Sequence, residues 1–216
     1  MSRMVTDREG FAAFLLRMRA RGINNPALMA AIEATPRRSF VQLENHLAAW
    51  SCRMAPIACG EAIEGLDLQA QVIDRLELQP THRVLEIGTG SGYTAALMAR
   101  LARRVYTIER FRTLATEAAD RHAELGIENV IIRHGDGSRG SAEGPFDRIV
   151  CWAAFDALPR HFVDHVVSGG VMVAPIGPAD GPQAFATLTK VGSRFEREDF
   201  ATARLQALAG RIAMHL

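Results

Sequence analysis

Short apolar runs alternate along the chain with longer stretches that place an apolar residue at every third or fourth position. Runs at 84–87, 105–109, 130–137 and 146–153 read as strands. The stretches between the first three, 93–103 and 112–125, read as helices, the second stopped by Gly126. Strands that alternate with helices predict a mainly parallel, twisted sheet. Further on, Leu158-Pro159 opens another predicted helix, and Gly169-Gly170 turns into a strand at 171–175. Runs at 184–190 and 200–208 suit antiparallel edge strands. Upstream, Thr6-Asp7-Arg8-Glu9 has the form of a capping box, and Phe11, Phe14, Leu15 and Met18 share one helical face. Gly22 stops that helix, Asn25-Pro26 starts a second, and Pro36 ends it. A third helix, 68–78, turns Ala70, Ile73 and Leu76 inward. Residues up to about 80 therefore read as a helical cap packed against the sheet, with Arg37 and Arg38 on its surface.

The densest signal follows the first strand. Glu86, Gly88, Gly90 and Gly92 fall at alternate positions, then Tyr93 begins a helix. Glycines let a ligand approach the backbone closely, and the helix start offers free N–H groups. The spacing G-x-G-x-G differs from the dinucleotide fingerprint G-x-G-x-x-G. Glu109 ends the next strand, near the offset at which a carboxylate accepts both ribose hydroxyls. Asp136, in Gly135-Asp136-Gly137, ends the third and could accept from an adenine amine. Open α/β sheets bind ligands at such strand ends. The plainer alternative is a glycine turn that serves only helix–strand packing.

Acid-x-G-x-G-x-G resembles the class I S-adenosylmethionine-dependent methyltransferases. The string Val84-Leu85-Glu86-Ile87-Gly88-Thr89-Gly90-Ser91-Gly92-Tyr93 is similar to that of the protein-L-isoaspartate O-methyltransferases in particular, as are Gly135-Asp136-Gly137, Arg21-Gly22-Ile23 and Pro36 to Val41. The resemblance runs from about Arg17 to Ala209. It implies a Rossmann-like α/β fold with helices on both faces, S-adenosylmethionine as cofactor, and carboxyl methylation of isoaspartyl residues in damaged proteins. The whole chain, 1–216, would be one methyltransferase domain, with cap and acceptor loop in 1–80 and the cofactor-binding sheet in 81–216. Expected cofactor contacts are Glu86, Gly88, Thr89, Gly90, Ser91, Gly92, Glu109, Arg110, Asp136 and Gly137. Trp152, Ala153 and Ala154 border the predicted methyl-transfer site, though Trp152 reads equally well as core.

The acceptor loop departs from the family. Pro56, Ile57, Gly60 and Ile63 match its pattern, but Ala62 stands where the family has Thr, and Glu64 where it has Ser. That hydroxyl is the family's catalytic or substrate-contacting group, which makes Glu64 the candidate catalytic residue here. An ionised Glu64 only accepts hydrogen bonds. At roughly 4 Å and an effective dielectric of about 20 it would repel an acceptor carboxylate by on the order of 4 kcal/mol. Glu61 and Asp67 add negative charge nearby; between residues 41 and 80 two arginines face six acids. The expectation is therefore split. Either the chain methylates isoaspartyl residues despite this loop, or it takes a neutral or cationic acceptor with Glu64 as base or anchor, or it binds the cofactor without catalysis. Glu64 as a solvated loop residue with no role is the remaining reading.

Composition narrows the partners. A net charge of +1 gives no general pull toward nucleic acid or membrane, and no apolar run is long enough to span a bilayer. The opening residues lack a signal-peptide pattern, and Cys52, Cys59 and Cys151 fit free thiols in a reducing compartment, so a cytoplasmic location is expected. A protein or peptide acceptor fits these properties; the oligomeric state stays open. His161 and His165 are four apart, but no third ligand accompanies them, and no metal is expected.

Overall fold

The computed structural model describes residues 7–213. Thr6, the first residue of the expected capping box, lies outside the described residues. Two helices open the fold, α1 (Asp7–Ala20) and α2 (Pro26–Ala34). Phe14 and Met18, one helical turn apart, bury the inner face of α1. Gly22, at φ 78°, turns the chain out of it. Asn25 caps α2 by accepting from the Leu28 N–H at 3.1 Å. A small hairpin, β1 (Ala55–Pro56) with β2 (Ala62–Ile63), precedes α3 (Leu66–Asp74). Then come β3 (Arg83–Ile87), α4 (Tyr93–Ala99), β4 (Arg104–Glu109), α5 (Arg112–Glu124), β5 (Val130–His134) and β6 (Phe146–Cys151). The chain finishes through β7 (Val166–Ile176), β8 (Gln183–Val191) and β9 (Arg194–Ala203).

Strands β3 to β9 form one sheet in the order β5-β4-β3-β6-β7-β8-β9. Its first five members are parallel, β8 pairs antiparallel with β7, and β9 antiparallel with β8. From β3 the chain steps outward to β4 and β5, then crosses back to β6 on the other side of β3. The connections after β3 and β6 thus diverge and open a crevice at their carboxyl ends. The central strands β3 and β4 are buried on both faces, whereas the edge strand β5 is half-buried. Val84, Val105, Val150 and Val173 pack toward the helical cap, whereas Leu85, Tyr106, Ile149 and Met172 pack with Phe146 and Phe162 beneath. Asp67 on α3, 2% exposed, ties the cap together: Arg17 of α1 reaches it at 2.8 Å and Arg21 at 3.3 Å. That pairing removes Asp67 from the negative character expected around the acceptor loop. No helix among the described residues is long and apolar enough to cross a membrane.

Three expectations shift. Leu158-Pro159 leads not into an α-helix but into a 3-10 turn, Arg160–His165, with β7 beginning at once. Gly169-Gly170 lies inside β7, where Gly169 adopts φ 71° and the pairing with β6 slips. The last strand ends at Ala203, so residues 204–208 leave the sheet edge. They cross its carboxyl end instead, with Ala154 donating to the Gln206 carbonyl at 2.8 Å and Leu208 to that of Ala154 at 2.7 Å.

Candidate functional site

The crevice is a cleft in two adjoining halves. Ala62, Gly88, Gly90, Trp152 and Gln206 wall both of them. The first half, about 350 Å³, adds Glu64, Gln69, Thr89, Ser91, Thr94 and Arg204. The second adds Ile57, Glu109, Arg110, Phe111, Leu114 and Gly137. Strand ends form the floor, and the roof comes from the β1–β2 hairpin and residues 204–209.

Local geometry explains the floor. Gly88 and Gly90 sit at φ 92° and 52°, where side chains are strained. A methyl group added to either would point across the cleft, 3.4 Å from Trp152 and Ile57 respectively. Glu109, 4% exposed, accepts from the Gly90 N–H at 2.9 Å and the Phe111 N–H at 3.0 Å. Its carboxylate so fixes the loop while keeping lone pairs for a ligand in the second half. Two buried polar atoms on the lining residues have no partner, the Ser91 hydroxyl in one half and Arg110 Nε in the other. Both atoms are enclosed beside the cleft rather than open to it.

Of the expected contacts, Gly88, Thr89, Gly90, Ser91, Glu109, Arg110 and Gly137 line the cleft. Glu86 does not. It is fully buried behind the loop, where Thr94 donates to it at 2.5 Å, Thr107 at 2.8 Å and Trp152 at 3.0 Å. Burial pushes its pKa up to about 7 against those three hydrogen bonds. Gly92 also lies off the cleft. At φ 86° it starts α4, and a methyl group there would meet His122 Nε2 at 2.9 Å and the Ala118 methyl at 3.0 Å. Asp136 is exposed, its carboxylate taken by the backbone N–H groups of Ser138 and Arg211, both at 2.8 Å; its neighbours Gly135 and Gly137 line the second half. Those bonds hold its pKa below the usual value, outweighing its partial burial.

The acceptor-loop residue does face the cleft. Glu64 lines the first half together with Thr94 and Ser91. Burial pushes its pKa up to about 7, opposed only by Arg37. Arg37, expected at the surface, is 2% exposed. Its guanidinium carbon stacks 4.8 Å from the centre of the Tyr93 ring, and it donates to Gln69 Oε1 and, at 2.5 Å, to the Glu64 carbonyl. Trp152 and Ala153 line the cleft, Trp152 also packing against the core on Phe185, whereas Ala154 is core.

A family model described as protein-L-isoaspartate(D-aspartate) O-methyltransferase (PCMT) matches residues 11–211. The chain belongs to that family. Among PCMT relatives, the protein-L-isoaspartate O-methyltransferase of Rhizobium meliloti (strain 1021) is 42% identical over 202 residues, 93% of this chain and 99% of that protein. The one from Rhodopseudomonas palustris (strain BisB18) is also 42% identical, over 91% and 92% of the two chains. In fold, the chain is similar to a Plasmodium falciparum protein described as a beta-aspartate methyltransferase (PCMT), crystallised with S-adenosyl-L-homocysteine. That match has a TM-score of 0.79 at 22% identity and covers 91% of this chain and 97% of that one. For a PCMT member, Gln206 and Leu208 are the cleft residues that the sequence hid most fully, because their run read as an edge strand.

Proposed function

We propose that this chain binds S-adenosylmethionine across the two halves of the cleft and methylates the carboxyl group of isoaspartyl residues in proteins or peptides. The observation that carries the reading is that two cavities adjoin at Gly88 and Gly90, one lined by Glu109 and the other by Glu64. In the second half, Glu109 accepts the ribose hydroxyls, while Arg110, Phe111 and Gly137 flank the adenine, with Asp136 at its edge. In the first half, Thr89 and Ser91 meet the methionine portion. Glu86 acts from behind, holding Thr94 and Trp152. The cofactor supplies an electrophilic methyl group; the protein supplies position and exclusion of water, which carry most of such a transfer.

Family membership favours the isoaspartyl carboxyl group over a neutral or cationic acceptor. One domain does the work, residues up to 80 giving cap and acceptor loop and 81–216 the sheet. The three free thiols support action in a reducing cytoplasm, and the near-neutral chain supports a protein rather than a nucleic-acid acceptor. The test is turnover of S-adenosylmethionine with an isoaspartyl peptide and with its ordinary aspartyl counterpart. Methylation of the first alone is the expected result; equal rates, or none with either, overturn the reading.

A further inference from the structure

The Glu64 side chain is the residue of this site that the family reaction leaves unexplained. It lines the first half of the cleft among the apolar walls of Ala62, Ile63, Met54 and Trp152. Among the described residues no hydrogen bond or ion pair engages its carboxyl group. Thr94, its neighbour across the half, gives its hydroxyl proton to Glu86. An acceptor carboxylate entering here needs donors facing it, and two carboxylates side by side share one proton rather than both ionise.

We propose that Glu64, as a carboxylic acid, donates the hydrogen bond that holds the isoaspartyl carboxylate for methyl transfer, an inference that rests on the function proposed above. Its proton stands where the family has a hydroxyl. Burial favours that neutral form near pH 7. The charged groups around it set the balance. Arg37, from the turn Arg37–Phe40, opposes protonation, but it is bound to Gln69 and to the Glu64 carbonyl and stacked on Tyr93. Arg204 lies on the same half, Glu61 on the other, Glu86 behind the glycine loop, and Asp67 on α3 is paired with Arg17 and Arg21. The transfer joins an isoaspartyl oxygen to the methyl carbon, and the electron pair of the broken S–C bond stays on sulfur. Glu64 keeps its proton throughout, so it acts as a donor and not as a base. Arg204 and Gln69 on the same half are donors at every pH and set a baseline; Glu64 sets the pH dependence.

The experiment measures initial rates with an N-acetylated isoaspartyl peptide at saturating S-adenosylmethionine, from pH 6 to 8.5, counting S-adenosylhomocysteine because the ester itself hydrolyses. Wild-type kcat/KM should fall about 20-fold between pH 6.5 and 8.5, following the protonated fraction of a group with a pKa near 7. Glu64→Gln, a neutral donor, should show a flat profile above wild type at pH 8.5, and Glu64→Ala a flat profile at the low level. Calorimetric binding of S-adenosylhomocysteine establishes that each variant is folded. A flat wild-type profile, or the same fall in Glu64→Gln, overturns the donor role, the latter assigning the titration to Glu86. Failure of the wild type to methylate the peptide at any pH removes the functional reading itself, and the donor role with it.

Discussion

Trp152 donates its indole N–H to Glu86 at 3.0 Å, joining the residue after β6 to the fourth residue of β3. The same Glu86 oxygen takes the Thr94 hydroxyl, and the other takes that of Thr107. One buried carboxyl group therefore fixes the shared wall of the cleft, the first turn of α4 and the neighbouring strand. Thr107 and Thr89 lie 2.6 Å apart, either able to donate, so Thr107 can turn its proton outward when Glu86 carries its own.

Trp152→Phe keeps most of the ring and removes the donor. Stability should drop by about 1–2 kcal/mol, the worth of a hydrogen bond to a buried acceptor. Urea unfolding reads this directly. Calorimetry should show weaker S-adenosylhomocysteine binding as the shared wall loosens. An unchanged urea midpoint would mean that the hydrogen bond contributes nothing.

Glu86 also makes stability depend on pH. Its folded pKa, about 7, lies above its ordinary 4.5, so the native state holds a proton that the unfolded chain releases. The stabilisation is fully present below the unfolded value and is lost as pH rises through the window from about 4.5 to 7. Linkage bounds the loss from this group at on the order of 3 kcal/mol. Glu64, raised in the same direction, adds to the slope. Unfolding free energies across pH 4.5–7.5 should slope downward in the wild type and less steeply in Glu86→Gln. Identical slopes would remove Glu86 as the source.

Glu109→Ala deletes the proposed ribose acceptor and the two backbone bonds that shape Gly90 and Phe111. Affinity for S-adenosylmethionine should fall by about 1.5–3 kcal/mol, the range for charge-assisted hydrogen bonds. NAD should compete poorly against the wild type, because the glycine spacing departs from the dinucleotide pattern. Calorimetric titration of both ligands checks the pair of expectations; equal affinity for NAD contradicts the cofactor assignment.

Asp67→Asn tests the cap separately from the cleft. The carboxylate is buried, but Arg17 and Arg21 are 34% and 47% exposed. The loss should be about 2 kcal/mol, below the 3–5 kcal/mol seen when a wholly buried pair is broken. Cofactor affinity should stay at the wild-type value. A large change in affinity would show that the α1–α3 tie shapes the ligand site.

The parts of this fold legible in the sequence are those that local chemistry dictates. The apolar runs of β3, β4, β5 and β6 and the positive-φ glycines between β3 and α4 announce themselves because buried strands favour apolar, β-branched residues and left-handed turns favour glycine. What stayed hidden depends on distant partners. Nothing in Pro36-Arg37-Arg38 says which arginine turns inward; Tyr93 and Gln69 decide it. Glu86 reads as a ligand contact until Thr94, Thr107 and Trp152 are seen to surround it. β9 begins at Arg194 in a strongly polar run that only an edge strand with a solvated face accommodates, so the apolar residues that follow were freed to cross the cleft. The charge of Glu64, taken from the sequence as fixed, is set by burial.

The roof of the cleft has a consequence for how the site is completed. It is spliced from the hairpin near residue 60 and the segment after β9, two pieces far apart along the chain, whereas the floor is built from consecutive strands. A chain that has formed only β3 to β6 owns every glycine of the floor but neither piece of the roof. The segment after β9 can therefore leave the cleft while every pairing among the parallel strands stays in place.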